Sequence, residues 1–254
     1  MASESGLASR RILITGAGAG IGATTAKLLA KHGARVAILD RDAAAAEATA
    51  GKLGAGQGLA LGGDVTDPSA VEAVMNAMTD LWGGLDDLVN NAGTWDHGAL
   101  LELSTERWRR VFEVNLMAPI AISNAAVARM AAGGSIVNVS SVLGQVTAPG
   151  RGPYCVSKSA LIALTRMQAI EWAERGIRVN AIAPGYIMND TTRALAESGS
   201  FDMSAINRRT PLGRFGEESE VAEGIAYLLD PARAAYTTGH VLEVNGGWTA
   251  YGFT

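Results

Sequence analysis

Along the chain, short runs of β-branched and other apolar residues alternate with Ala-rich stretches of helical composition. Arg11 to Thr15, Arg35 to Asp40 and Gly58 to Asp64 read as strands, with helices over Gly22 to His32, Ala43 to Leu53 and Pro68 to Trp82. The rhythm continues through the strand Leu85 to Asn90, a long helical region from Thr105 to Ala132 and the strand Ser135 to Ser140. A helix from about Pro153 to Arg175 leads to the strand Arg178 to Ala183, and the last cycle is the helix Glu218 to Leu229 followed by His240 to Val244. This alternation predicts an α/β fold: a doubly wound, seven-stranded parallel sheet flanked by helices, with ligands at the carboxyl ends of the strands. The interval Met188 to Gly216 shows no clear regular structure, and its length makes residues 188–216 a candidate lid over a cleft.

Composition narrows the function. A chain of 254 residues, 48% hydrophobic and with 31 glycines, can bury one core and make many tight turns, so a single domain over 1–254 is expected. The net charge of −4 comes with no basic block, which predicts no nucleic-acid partner. The one cysteine, Cys155, excludes an internal disulfide, and His32, His97 and His240 are scattered without metal-ligand spacing. The first residues lack the apolar core of a secretory signal, and no stretch reaches the length of a membrane span, so a cytoplasmic protein without membrane contact is expected.

The first strand runs into Thr15-Gly16-Ala17-Gly18-Ala19-Gly20-Ile21-Gly22, and a helix follows at once. Glycines at such a turn let the backbone approach a diphosphate, whose charge meets the helix N-terminus. Alone the signal is weak, since the turn could equally be a tight crossover, and Gly18, Gly20 and Ala23 satisfy a dinucleotide fingerprint in a shifted frame. Context strengthens it: the next strand ends at Asp40, where a carboxylate can accept both ribose hydroxyls. That charge would repel a 2′-phosphate, which favours NAD over NADP, while Arg41 is the counter-evidence because it could attract one if Asp40 swung away. Without the glycine turn, Asp40 would read as a helix cap.

Tyr154 and Lys158 lie four apart in a helical segment, which puts an ammonium beside a phenol. Bringing a tyrosine from about 10 to near neutrality asks for about 4 kcal/mol, which an adjacent ammonium and a bound nicotinamide cation together can supply. Such a pair suits proton transfer at an alcohol or carbonyl.

These motifs, taken in order, resemble the short-chain dehydrogenase/reductases over nearly the whole length. They are the glycine turn Thr15 to Gly22, Gly63-Asp64-Val65, Asn90-Asn91-Ala92-Gly93, Asn115, Ser141, Tyr154, Lys158, Pro184-Gly185 and Val244-Asn245-Gly246-Gly247. The resemblance implies a Rossmann-type fold in which Tyr154 exchanges a proton with the substrate oxygen and Ser141 holds that oxygen. It further implies that Lys158 lowers the Tyr154 pKa and binds the nicotinamide ribose, and that Asn115 positions a water relaying protons from Lys158. Ser140 competes for the serine role, but the spacing from Ser141 to Tyr154 matches the family better, and only one of two successive strand residues can face the cleft. By the same resemblance Gly16, Gly20, Ile21 and Gly22 meet the diphosphate, Asp40 and Arg41 the adenosine ribose, and Asp64 and Val65 the adenine. Asn91 and Gly93 follow the cofactor backbone, Pro184, Gly185 and Ile187 border the nicotinamide, and Asn189 stands where many members have threonine. Asn245 replaces an aspartate common near the carboxyl end.

The substrate side is less legible. Candidates by position are Trp95, His97, Leu143, Gln145, Arg151 and Tyr186, each of which could equally be packing or solvated surface. The cleft as read has few fixed charges, so a neutral hydroxylated molecule fits better than a carboxylate. An NAD-dependent dehydrogenase of secondary alcohols of polyol or sugar type is expected. The alternatives are an NADPH-dependent 3-oxoacyl thioester reductase, for which Arg193, Arg208 and Arg209 could face a carrier, and a nucleotide sensor without turnover. Three aromatics in the tail after Gly247 suggest a subunit contact, and the family resemblance implies a homotetramer.

Overall fold

The protein is described by a computed structural model covering residues 6–197 and 202–252. Strands β1 (Arg11–Thr15), β2 (Arg35–Asp40), β3 (Gly58–Gly62), β4 (Leu85–Asn90), β5 (Met130–Val139), β6 (Arg178–Pro184) and β9 (Val241–Val244) form one sheet. Its order is β3-β2-β1-β4-β5-β6-β9 and every pairing is parallel, as the alternating pattern predicts. Helices α1 (Gly20–Lys31), α2 (Ala43–Ala50), α3 (Pro68–Trp82), α4 (Thr105–Phe112), α5 (Ala118–Val127), α6 (Gly152–Glu171) and α9 (Glu218–Leu229) make the crossovers.

The central strands are largely apolar because both faces are covered. Ile12 and Ile14 join Leu29, Val36, Ile38 and Ile225 in a core on one side. Leu13 turns to the other side with Leu39, Val74, Met78, Leu88 and Ile122, as the two-residue period of a strand requires. Helix starts are written in the sequence: the Asp42, Asp67 and Ser104 side chains cap α2, α3 and α4, and Glu217 with Glu220 forms a capping box on α9.

Two expectations are corrected. The predicted helix from Thr105 to Ala132 is broken by a π-turn at Glu113–Met117 and ends at Val127, and β5 starts at Met130 rather than Ser135. Partners shift from Leu85↔Met130 to Asp87↔Ser135, so the stretch between them, Ala-Ala-Gly-Gly, is a bulge that an Ala-rich pattern disguises as helix. The interval 188–216 is also not irregular, although residues 198–201 lie outside the described residues. It holds α7 (Asp190–Glu197) and α8 (Met203–Arg209), framed by a small parallel sheet of β7 (Ile187–Met188) and β8 (Gly216–Glu217). Asn189 Oδ1 accepts from Thr192 N, and Asp202 Oδ1 from Ser204 N and Ala205 N, so these short helices depend on caps more than on apolar periodicity.

At the end of β4 away from the glycine turn, Asp87 is fully buried and accepts from Arg10 Nε and Nη2, each at 2.5 Å, and from Ser135 N at 2.9 Å. Burial outweighs these partners and pushes its carboxyl up to about 6. A carboxyl that keeps its proton longer in the fold than in the unfolded chain favours the fold at low pH, and that contribution fades as pH rises through about 6. Arg10→Met should therefore cost roughly 3–5 kcal/mol at pH 8, where Asp87 is left charged and unpaired, and clearly less at pH 5. Denaturation at both pH values checks this; equal losses would refute it.

Candidate active site

The sheet order reverses between β1 and β4, so the glycine turn and the segment after β4 meet at the carboxyl ends of the strands. Gly16 has φ +64°, and a β-carbon there would lie 2.7 Å from Ala92 Cα. Gly22 is packed as tightly, its missing β-carbon 2.6 Å from both Asn91 Nδ2 and Gly16 O. Asn91 Nδ2 donates to Thr15 O at 2.9 Å and Gly16 O at 2.8 Å, and Thr15 Oγ1 accepts from Asn91 N and Ala92 N, both at 3.1 Å. The Asn91 side-chain amide thus braces the turn. The start of α1 at Gly20, Ile21 and Gly22 has no side-chain cap, and its first turn holds no acidic residue. Its free N–H groups suit a diphosphate.

At the end of β2 the Asp40 carboxylate is tethered, Oδ2 accepting from Gly18 N at 2.8 Å and Oδ1 from Asp42 N at 3.0 Å. It borders a cavity of about 570 Å³ whose walls include Arg41, Asp64, Val65, Asn91 and Gly93. Asp64 Oδ1 accepts from Thr66 N and Oγ1, which hold its carboxyl below the usual range, and the Arg41 charge lowers it further. An uncapped helix start, a tethered carboxylate and a cavity of this size fit the adenosine and diphosphate of a dinucleotide. Thr94, Arg110 and Val114 complete the walls and were not anticipated. Their only signal is adjacency to the Asn90–Gly93 motif and to Asn115.

The four residues expected to do chemistry come together beside that cavity. Lys158 is buried, its Nζ donating to Val139 O at 2.7 Å and lying 5.8 Å from the Tyr154 ring centroid. Asn115 is fully buried on the π-turn. Its Oδ1 accepts from Thr94 N and its Nδ2 donates to Thr94 O, both at 2.8 Å, and to Ser157 Oγ at 3.0 Å. A β-carbon at Gly93 would lie 3.5 Å from Asn115 Oδ1 and 3.6 Å from Lys158 Nζ, so all three meet at one point. The Ser141 hydroxyl accepts from Leu143 N at 3.1 Å and lies near enough to the Tyr154 phenol to favour its ionised form. Ser140 faces away, donating to Lys158 O at 3.0 Å. Ser157 was missed by sequence reasoning, though its place one helical turn after Tyr154 is the signal that could have found it.

The electrostatics of the protein alone set what a bound cofactor has to supply. Burial raises the Tyr154 pKa above its ordinary value; the Ser141 hydrogen bond and the Arg151 charge pull it down without offsetting that. Burial lowers Lys158 to about 8. The ammonium therefore does not make the phenol acidic by itself, because the same burial disfavours both charged forms.

On the substrate side Leu143 is half-buried, whereas Gln145 is exposed and donates to Glu243 Oε1 at 2.8 Å. Its amide is thus tied to the end of β9. Asn189 likewise spends its side-chain oxygen capping α7. Pro184 closes β6, Gly185 donates to Val244 O, and Ile187 is buried in β7. Tyr186 stacks on Trp248 at 4.8 Å between ring centroids, and Arg209 lies 4.8 Å from the same indole. These tail aromatics therefore pack on their own chain; Phe253 lies outside the described residues.

A sequence model of the family described as Enoyl-(Acyl carrier protein) reductase matches residues 16–249. The 3-oxoacyl-[acyl-carrier-protein] reductase of Vibrio cholerae is 40% identical over 238 residues, covering 92% of this chain and 95% of that one. Cis-4-hydroxycyclohexanecarboxylate dehydrogenase of Sinomonas cyclohexanicum is 41% identical over 247 residues, covering 96% and 98%. A glucose/ribitol dehydrogenase-type short-chain dehydrogenase/reductase from Brucella melitensis superposes with a TM-score of 0.90 at 30% identity, covering 96% and 98%. The chain belongs to the short-chain dehydrogenase/reductase family. It is an oxidoreductase of NAD(P)-dependent type acting on alcohol or ketone substrates.

Asn91→Ala removes both bonds from the side chain to the glycine-turn carbonyls. It should weaken dinucleotide binding by roughly tenfold, on the order of one or two hydrogen bonds' worth of turn rigidity. Titration of NADH fluorescence measures this, and unchanged affinity would show that the turn holds itself.

Proposed function

We propose that the protein oxidises a secondary alcohol of polyol or sugar type with NAD as acceptor, with Tyr154 as the base. The observation that carries this reading is the convergence of Ser141, Tyr154, Lys158 and Asn115 beside a glycine turn to which Asp40 is tied. Ser141 orients the substrate oxygen and Tyr154 takes its proton. Lys158 passes the proton on, and Asn115, fixed by Thr94 and Ser157, holds the path from Lys158 towards solvent. When bound, the nicotinamide accepts the hydride and supplies positive charge beside the phenol. That charge has to overcome the burial that raises Tyr154.

Asp40 supports NAD, since swinging it aside for a 2′-phosphate breaks two backbone hydrogen bonds. The named activities of the Sinomonas and Brucella proteins are alcohol dehydrogenations, which supports a secondary-alcohol substrate. The Vibrio relative favours the second reading, NADPH-dependent reduction of a 3-oxoacyl thioester. Against it, Arg209 is stacked on Trp248 and Tyr251, while Arg208 makes only a loose, exposed pair with Asp202. A homotetramer in the cytoplasm is part of the proposal. Exposed Val156, Met167 and Ile170 lie on one stripe of α6, the kind of apolar face a neighbour covers. Among the described residues no helix is long and apolar enough to cross a membrane.

Formation of reduced nicotinamide from NAD and from NADP, across secondary alcohols, polyols and aldoses at mildly alkaline pH, tests the reading. NADPH-dependent thioester reduction with silence on alcohols would install the second one. Tyr154→Phe should lower kcat by roughly 10²–10⁴-fold while NADH affinity stays within about twofold. A sensor would show no turnover to lose. Asp40→Asn should move the NAD/NADP ratio of kcat/KM towards NADP by about tenfold or more, as expected when a repelling charge near a phosphate is removed.

A further inference from the structure

The start of α1, which suits a diphosphate, has an anion of the protein's own beside it. α1 holds no acidic residue in its first turn and no side chain caps it. The charge arrives from another element. Glu218 opens α9, which packs along α1 so that Val221 and Ile225 share a core with Ala26 and Leu29. Glu218 Oε2 accepts from Thr24 Oγ1 at 2.7 Å, which ties the carboxylate to α1. Its other oxygen, Oε1, lies 3.8 Å from the point where a β-carbon on Gly20 would stand. Among the described residues it is the one group from elsewhere in the fold within 4 Å of that point.

No cation offsets this charge. Among the described residues no lysine or arginine pairs with Glu218, and Arg214, the basic residue closest to it along the chain, is held by Glu220 at 2.6 and 2.8 Å. Glu218 is half-buried, so solvent screens it only in part. Nor does α9 need it as a cap, since Glu217 and Glu220 already form the capping box there. The Glu218 side chain reaches across to α1 instead. A carboxylate at the positive end of a helix is favourable while that end is empty, and it repels a second anion that comes to the same end.

We propose that Glu218 sets the affinity for the dinucleotide: its carboxylate competes with the diphosphate for the start of α1, weakens oxidised and reduced cofactor alike, and hastens their release. This rests on the reading of the glycine turn as the seat of the diphosphate. Because NAD and NADP share that diphosphate, the effect is separate from the choice that Asp40 makes at the ribose.

The test measures binding of NADH by its fluorescence, and of ADP and adenosine by displacement of NADH, in the full chain, Glu218→Gln, Glu218→Pro and Glu223→Gln. Glutamine removes the charge and keeps an acceptor for Thr24. Proline removes both at the first helical position, after a Glu217 that is already extended (φ −101°, ψ 152°), where a helix accepts it. Glu223 is an exposed carboxylate further along α9 and controls for net charge alone. At low ionic strength Glu218→Gln and Glu218→Pro should bind NADH and ADP roughly 3- to 10-fold tighter, chiefly through slower dissociation. Adenosine, which lacks phosphate, should stay within about twofold in every variant, and so should NADH in Glu223→Gln. The gain should shrink towards one at about 0.5 M salt, where exposed charges are screened within a few ångströms. A purely structural role has the opposite sign, because loosening α1 would weaken NADH. Unchanged or weaker NADH binding in Glu218→Gln overturns the proposal, as does an equal gain for adenosine, and either leaves the dinucleotide seat intact. If the unaltered protein binds neither NADH nor NADPH, the seat itself is wrong and the proposal falls with it.

Discussion

The parallel pairing of β1 with β4 is the constraint on which the site depends. With Ile12 opposite Asp87 and Ile14 opposite Val89, the two strands end level, and their outgoing chains diverge to opposite sides of the sheet. That leaves a crevice floored by backbone. Thr15 and Asn91 then weld its two lips through four hydrogen bonds. A one-residue slip would turn Ile12 and Ile14 into the other core and pull Asn91 off the glycine turn. The dinucleotide cradle is therefore as specified as the hydrophobic core, because both are set by the same register.

The catalytic end is built from three further elements that meet β5 and β4. Lys158 is stitched to the end of β5 twice, its ammonium on Val139 O and its carbonyl under the Ser140 hydroxyl. Strand alternation then sends Ser141 the other way, to Tyr154. Asn115 reaches this point because α4 passes into a π-turn, whose wider loop re-aims one side chain inward. Thr94, which follows Gly93, uses its backbone N–H and carbonyl to hold the Asn115 amide face on. Lys158 Nζ and the Asn115 amide each have a partner here, which is how they are tolerated in one place.

What could be read from the chain follows from how local the signal is. The seven paired strands were legible because strands buried on both faces are continuous apolar runs such as Ile12-Leu13-Ile14, and the helices because caps such as Asp67-Pro68 stand at their starts. The positions of Asn115, Ser141, Tyr154 and Lys158 were legible through family resemblance, and the structure gathers them at one point. The π-turn was not, since its residues have ordinary helical composition. Nor was the bulge after Met130, where alanines and glycines carry no period. α7 and α8 escaped for the same reason: seven or eight residues offer too little periodicity, and only Asn189 and Asp202 mark their starts. The partners of Gln145 and Asn91 are long-range and so invisible to spacing: Gln145 donates to Glu243, and Asn91 lines the cavity while its amide braces the glycine turn.

Electrostatics decide how the assembled groups act. Burial pushes Tyr154 up and Lys158 down to about 8, so in the protein alone the phenol keeps its proton more firmly than the ammonium does. The cleft is therefore not a standing base. In the proposed mechanism the phenol would turn basic only with further positive charge, which a bound nicotinamide would bring together with the capacity to accept hydride. Arg151 contributes a fixed part of it.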